Sequence, residues 1–127
     1  MNLRTRILVV DDSTVMRKII RNLLVDIGFS QIEEADDGCV ALSKLHMAQF
    51  GVVISDWDMA RMSGLELIRK IRGDTMLNAT PFIMVTAEAS VPKIKAAKEA
   101  GVSSYVVKPF NAETLKQKIE SVVGTLH

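Results

Sequence analysis

A single cysteine, Cys39, stands in the 127-residue chain. One thiol excludes an intramolecular disulfide and a cysteine-rich zinc site, and it fits a reducing compartment. An excess of charge of one sign is missing too, because 16 basic side chains against 15 acidic ones leave a formal net charge of +1. Bulk charge therefore gives no reason to expect a nucleic-acid or membrane surface. No stretch approaches the ~18 apolar residues of a membrane span. The apolar run in "MNLRTRILVVDD" meets two aspartates too soon for a secretory signal. The expected location is cytoplasmic, with no nucleic-acid or membrane partner. No glycine-rich loop follows an apolar run, which argues against dinucleotide or ATP binding. Repeats, low-complexity tracts and linkers are absent as well, and the length suits one domain with one sizeable core.

What is present is an alternation of short apolar runs and amphipathic stretches, five times over. "RILVV" at 6–10 leads to "STVMRKIIRNLLVDIG", where Met16, Ile19, Ile20, Leu23, Leu24 and Ile27 share a helical face and Gly28 sits at the C-cap position. "QIEEA" follows as a more polar strand, expected at an edge, and then a helix around 38–47. "GVVIS" at 51–55 precedes "SGLELIRKIRG" at 63–73, in which Ser63 and Glu66 have capping-box spacing and Gly73 supplies the stop. "PFIMV" at 81–85 precedes "SVPKIKAAKEAG" at 90–101, with an early proline and a closing glycine. "SYVV" at 104–107 precedes "NAETLKQKIESVVG" at 111–124, capped by Asn111, with Leu115, Ile119, Val122 and Val123 as its stripe. Strands of this length separated by helices predict a mostly parallel sheet covered on both faces. Right-handed crossovers leave few topologies for it. The expected fold is a doubly wound (βα)5 α/β sandwich.

The residues at the ends of these strands carry the chemistry. Asp11 and Asp12 follow the first, Asp56 and then Asp58 the third, Thr86 the fourth and Lys108 the fifth. In a parallel sheet all of them lie along the carboxyl edge, where open α/β sheets bind ligands. Three carboxylates there repel one another unless a cation is present. Hard oxygen donors without cysteine or paired histidine favour Mg2+ or a similar ion over zinc. Thr86 and Lys108 complete a pocket suited to a tetrahedral anion, and metal, lysine and hydroxyl together stabilise a transferring phosphoryl group. One carboxylate can then be the nucleophile that forms an acyl phosphate, and Asp56 is the candidate. Taken alone, Asp11 and Asp12 read as a turn and helix cap, Thr86 as a strand-end cap and Lys108 as a solvated lysine. Only their company gives the sharper reading.

"VVDDS" at 9–13, "VISDWDM" at 53–59, "MSGLEL" at 62–67, "MVTAEA" at 84–89 and "YVVKPF" at 105–110 carry a resemblance across nearly the whole chain. In this order and spacing they resemble receiver domains of bacterial two-component response regulators, of the stand-alone chemotaxis type. The resemblance implies a flavodoxin-like sheet of order 2-1-3-4-5 and a single receiver domain over 1–127 with no output domain. It implies Asp56 as phosphoacceptor, Asp12 as a direct metal ligand, Asp11 as its water-bridged companion and the backbone carbonyl of Asp58 as a further ligand to Mg2+ (or Mn2+). Thr86 corresponds to the switch hydroxyl, Lys108 to the ammonium that pairs with the phosphoryl group, and Tyr105 to the aromatic whose rotamer follows Thr86. Pro109 corresponds to a cis-proline. The implied function is a signalling switch, not an enzyme beyond its own phosphorylation and dephosphorylation. It takes phosphoryl from a CheA-like histidine kinase and changes a partner-binding face at the fourth helix, fifth strand and fifth helix. A monomer that docks a downstream protein, with the flagellar motor switch as one candidate, is the expectation.

The sequence departs from the usual pattern at Ala60, where proline is common, and at Ser63, where aspartate is common. Asp58 adds a fourth carboxylate and Glu88 an acid two residues after Thr86, positions that tune how fast phosphoryl enters and leaves in the family. Ser90 and Val91 stand where a lysine pair is frequent on the motor-binding face. Trp57 reads as packing, Tyr105 alone as surface packing, and Cys39, His46 and His127 as structural or incidental. "DWD" also has the Asp-x-Asp form of haloacid-dehalogenase-like phosphatases, an aspartate-nucleophile alternative. Those enzymes place Asp-x-Asp on the first strand and the acidic pair last, the reverse of the order here. A degenerate receiver acting only by contacts is the remaining alternative.

Overall fold

A computed structural model describes residues 2–124, so the reading of His127 lies outside the described residues. Strands and helices alternate strictly: β1 Ile7–Val10, α1 Thr14–Ile27, β2 Ile32–Ala35, α2 Gly38–Met47, β3 Val52–Asp56, α3 Gly64–Arg72, β4 Phe82–Thr86, α4 Val91–Ala100, β5 Ser104–Val107 and α5 Ala112–Val123. The five strands are parallel in the order β2-β1-β3-β4-β5. This is the doubly wound flavodoxin-like sheet, with the polar β2 at one edge as its composition predicts.

Period-2 alternation in the strands divides the core in two. Leu8, Val10, Val53, Phe82 and Met84 point to the side covered by α2 and α3, with Ala41, Leu45, Leu67, Ile68 and Ile71. Ile7, Val9, Val52, Ile54, Ile83, Val85 and Val106 point to the other side and meet Ile20 and Leu24 of α1 and Leu115 and Ile119 of α5. Strands buried on both faces leave no place for polar side chains except at their ends, so the charged residues collect at the carboxyl edge.

The helix signals hold locally. The side chains of Ser13, Asp37, Ser63, Ser90 and Asn111 each cap the helix that follows, and Ser63 with Glu66 forms the full capping box. Gly28, at φ +121°, closes α1 by donating its N–H to Leu24 and Val25.

Two details differ from the sequence reading. Asp56 and Thr86 are the last residues of β3 and β4 rather than the first after them, because Asp56 pairs with Val85 and Thr86 with Val107 in the ladder. Ile19, placed on the buried stripe of α1, is 45% exposed. It lies at the margin of that stripe, and the sheet reaches only Ile20 and Leu24 fully, with Met16, Leu23 and Ile27 partly covered. His46, read as structural or incidental, takes the structural place: its ring lies 2.6 Å from Asp74 Oδ2 and ties the end of α2 to the loop after α3.

Candidate functional site

The register sets the site. Val10 lies beside Ser55, so Asp11 continues β1 at the level of Asp56 in β3. Asp12 turns outward at the entry to α1. Carboxylate oxygens of Asp11, Asp12 and Asp56 lie within 4.8 Å of one another. Asp11 and Asp56 are buried and Asp12 is exposed, which leaves the cluster open on one side.

Each carboxylate is held by a different element. Asp11 Oδ1 accepts from the Ser13 N–H at 2.8 Å, while its Oδ2 is buried with no hydrogen-bond partner. Asp12 Oδ2 accepts from the Ala60 N–H at 3.1 Å. Asp56 Oδ1 accepts from Lys108 Nζ at 3.0 Å. Burial pushes the Asp11 carboxyl above its ordinary range, and the charges of Asp56 and Asp12 add to that, against the Ser13 amide and Lys108. An orphaned, buried carboxylate oxygen beside two further carboxylates is a costly arrangement that a cation relieves. With only oxygen donors, the set fits a hard ion of the Mg2+ class.

Lys108 reaches Asp56 across the end of the intervening β4. Its backbone N–H donates to the Thr86 carbonyl at 2.8 Å, and its peptide bond to Pro109 is cis. Thr86, buried at the end of β4, has its hydroxyl engaged by its own loop. It donates to the Glu88 carbonyl at 2.8 Å and accepts from the Glu88 N–H at 3.3 Å. Asp58 and Glu88 are exposed, and Tyr105 is half-buried with Lys118 Nζ 5.2 Å from its ring centroid. The structure thus brings Asp11, Asp12, Asp56 and Lys108 together. It leaves Thr86 adjacent but engaged with its own loop, and Tyr105 further along β5.

Several contacts around the site have no counterpart in the sequence reading. Arg17 donates to the Asp11 carbonyl at 2.7 Å and to Glu34 Oε1 at 3.0 Å, bracing the turn after β1 against β2. Gly64 packs against the Asp56 carbonyl where a β-carbon would overlap it, and its N–H donates to the Trp57 carbonyl at 2.8 Å. Lys93 Nζ sits 5.1 Å from the Trp57 ring centroid, so the packing residue beside Asp56 also touches α4. Arg61 lies 2.9 Å from Asp37 Oδ2. Of these partners Asp37 carries a local signal, an aspartate just before the start of α2, where that residue type caps helices.

Comparison with known proteins accords with this geometry. The family model for the response regulator receiver domain matches residues 7–120. The chain is 50% identical over 117 residues to the chemotaxis protein CheY of Pseudomonas aeruginosa, covering 92% of this chain and 94% of that protein. It is 46% identical over 126 residues to the chemotaxis protein CheY-3 of Vibrio cholerae, covering 99% and 97%. The solved structure of Vibrio cholerae CheY4 superposes with a TM-score of 0.87 at 38% identity, covering 94% of this chain and 98% of that one. No helix among the described residues is long and apolar enough to cross a membrane.

Proposed function

The chain belongs to the response regulator receiver domain family, and from that premise we propose that it is a chemotaxis signalling switch that accepts a phosphoryl group on Asp56. The observation that carries this reading is the joining of Asp56 to both Lys108 and the acidic pair at one strand end. A structural carboxylate needs a partner, but it needs no second and third carboxylate beside it.

The phosphodonor is a phosphohistidine on a CheA-like kinase. An Asp56 oxygen attacks phosphorus, the P–N bond breaks and its electron pair returns to the imidazole nitrogen. Asp11, Asp12, Asp56 and the Asp58 carbonyl are the residues that would hold Mg2+ (or Mn2+). Such an ion, when bound, neutralises charge on the phosphoryl oxygens. Lys108, already on Asp56, is placed to pair with one of those oxygens as charge develops. Exposed Asp58 and Glu88 flank the approach and are assigned to tuning the rates of entry and hydrolysis. Catalysis is limited to these two reactions of the protein's own aspartate.

Output follows from added charge. A phosphorylated Asp56 offers the Thr86 hydroxyl a stronger acceptor than the Glu88 carbonyl it now binds, so the β4–α4 loop is released and redrawn. Tyr105 and the surface of α4, β5 and α5 change with it, and a downstream protein docks there. The names of the two curated relatives support a chemotaxis role, with the flagellar motor switch as the candidate target. Ser90 and Val91 give this face fewer charges at its upper end. A near-complete switch needs about 5.5 kcal/mol of differential stabilisation. A few charge-assisted hydrogen bonds at about 1.5–3 kcal/mol each reach that figure. The protein is expected to act as a monomer in the cytoplasm.

The test uses Trp57 as reporter. Fluorescence is recorded with Mg2+ and then acetyl phosphate, and intact mass is measured for wild type and Asp56→Asn. The reading requires Mg2+-dependent phosphoryl uptake by wild type alone. Mg2+ binding with no added phosphoryl mass would support a contact-only receiver, and sustained release of phosphate from unrelated monoesters would support the phosphatase.

A further inference from the structure

Seven residues, 57–63, join β3 to α3. This loop carries the Ala60 N–H that holds Asp12 at 3.1 Å and the Asp58 carbonyl assigned to the metal. Within it stands Arg61, the sole non-glycine residue with positive φ among those described, at +68°. The turn is closed by the Met62 N–H donating to the Ala60 carbonyl at 2.8 Å. A β-carbon disfavours this conformation and glycine is the usual occupant, so an arginine there needs something to hold it.

What holds it is α2. The Arg61 guanidinium lies 2.9 Å from Asp37 Oδ2, on a side chain only 4% exposed. The approach is off the N–H axis, so the attraction is between charges rather than a hydrogen bond. The other oxygen of Asp37 accepts from the Val40 N–H at 2.9 Å and caps α2. One residue along, Met62 is buried against Gly38, where a β-carbon would overlap the methionine side chain. Two successive pairs, 37 with 61 and 38 with 62, therefore fasten the loop to the start of α2.

We propose that the Asp37–Arg61 pair is a latch that pre-positions the β3–α3 loop for the metal, making Arg61 a positioning residue of the phosphorylation site. The inference rests on the receiver reading above. Neither latch residue needs to touch the ion. The pair acts through the backbone, fixing the Ala60 amide on Asp12 and the Asp58 carbonyl three residues before Arg61. A loop that must be ordered by the ion itself spends part of the binding energy on that ordering.

The test titrates Mg2+ against Trp57 fluorescence in wild type, Arg61→Gly, Arg61→Lys, Asp37→Asn and the double variant Asp37→Asn/Arg61→Gly. Solvent exchange of the Ala60 amide is followed in the same samples. Glycine removes the charge but suits the turn, and asparagine retains an oxygen to cap α2. The expected result is a Kd raised about tenfold in Arg61→Gly and in Asp37→Asn. Ala60 exchange should be faster in both, the double variant no worse than either, and lysine should largely restore binding. The Arg61 side chain is 73% exposed, so its variants fold and carry the test even where Asp37→Asn lowers the melting temperature. Wild-type Mg2+ affinity and Ala60 exchange in Arg61→Gly, or effects that add in the double variant, overturn the latch alone. A wild type showing neither Mg2+ binding nor Mg2+-dependent uptake from acetyl phosphate overturns the receiver reading and the latch together.

Discussion

Lys108 Nζ donates to Asp56 Oδ1 at 3.0 Å across the end of β4, joining two strands that are not neighbours in the sheet. The lysine is 27% exposed and the aspartate 10%, so water screens part of the pair. Lys108→Ala should destabilise the metal-free protein, because the buried Asp56 carboxylate is left beside two others without its cation. Phosphoryl uptake from acetyl phosphate should fall by about 100-fold, the usual effect of losing one aligned charge donor. Denaturant melts and intact-mass time courses would separate the two, and unaltered uptake would remove Lys108 from the chemistry.

The unpartnered Asp11 Oδ2 makes the metal-free protein less stable than its fold allows. Asp11→Asn keeps the oxygen that accepts from Ser13 and removes one of three clustered charges. Without Mg2+ the variant should be more stable than wild type by about 1 kcal/mol. At a Mg2+ concentration 100 times its Kd, wild type should gain about 2.7 kcal/mol and overtake the variant. Thermal melts with and without chelator would show the crossing; parallel shifts would mean that Asp11 does not face the ion.

Thr86 binds its own loop, donating to Glu88 at 2.8 Å, so its hydroxyl has a resting place distinct from its proposed active one. Thr86→Ala should lose about 0.5–1.5 kcal/mol for the missing hydrogen bond. It should still take up phosphoryl within a few-fold of wild type, since Asp56 and Lys108 remain. The amide shifts that phosphorylation causes around Tyr105 should shrink or vanish. Undiminished shifts in the variant would break the link between Thr86 and the output face.

At the opposite end of the sheet, His46 lies 2.6 Å from Asp74 Oδ2. This contact, helped by the Met76 N–H, holds the Asp74 carboxyl below its ordinary value of 3.8. A depressed carboxyl stabilises the fold above the unfolded pKa and loses that contribution as pH falls through the folded one. Wild type should therefore melt above Asp74→Asn at pH 6, with the gap closing below pH ~4. A gap independent of pH would mean that the charge on Asp74 is not its source, since asparagine keeps the oxygen that accepts from Met76.

Much of this molecule is legible in its sequence. Strand runs, helix stripes, the Ser63–Glu66 capping box and the line of acids, threonine and lysine at strand ends follow from local rules of periodicity and capping. Such signals act within a few residues, so composition at those positions is enough. Membership of a family then supplied the strand order, which periodicity alone does not contain.

Tertiary structure decided the rest, because through-space neighbours depend on strand order and register, which bring distant residues together. Lys108 and Asp56 are 52 positions apart, and Ala60 and Asp12 are 48 apart. The direction of the Thr86 hydroxyl, the exposure of Ile19, the brace of Arg17 and the Asp37–Arg61 pair all hang on such neighbours. By itself the sequence determined which chemical groups reach the carboxyl edge of the sheet. Only packing determined which of them meet, since a hydrogen bond is settled over a few ångströms and no spacing along the chain encodes that distance.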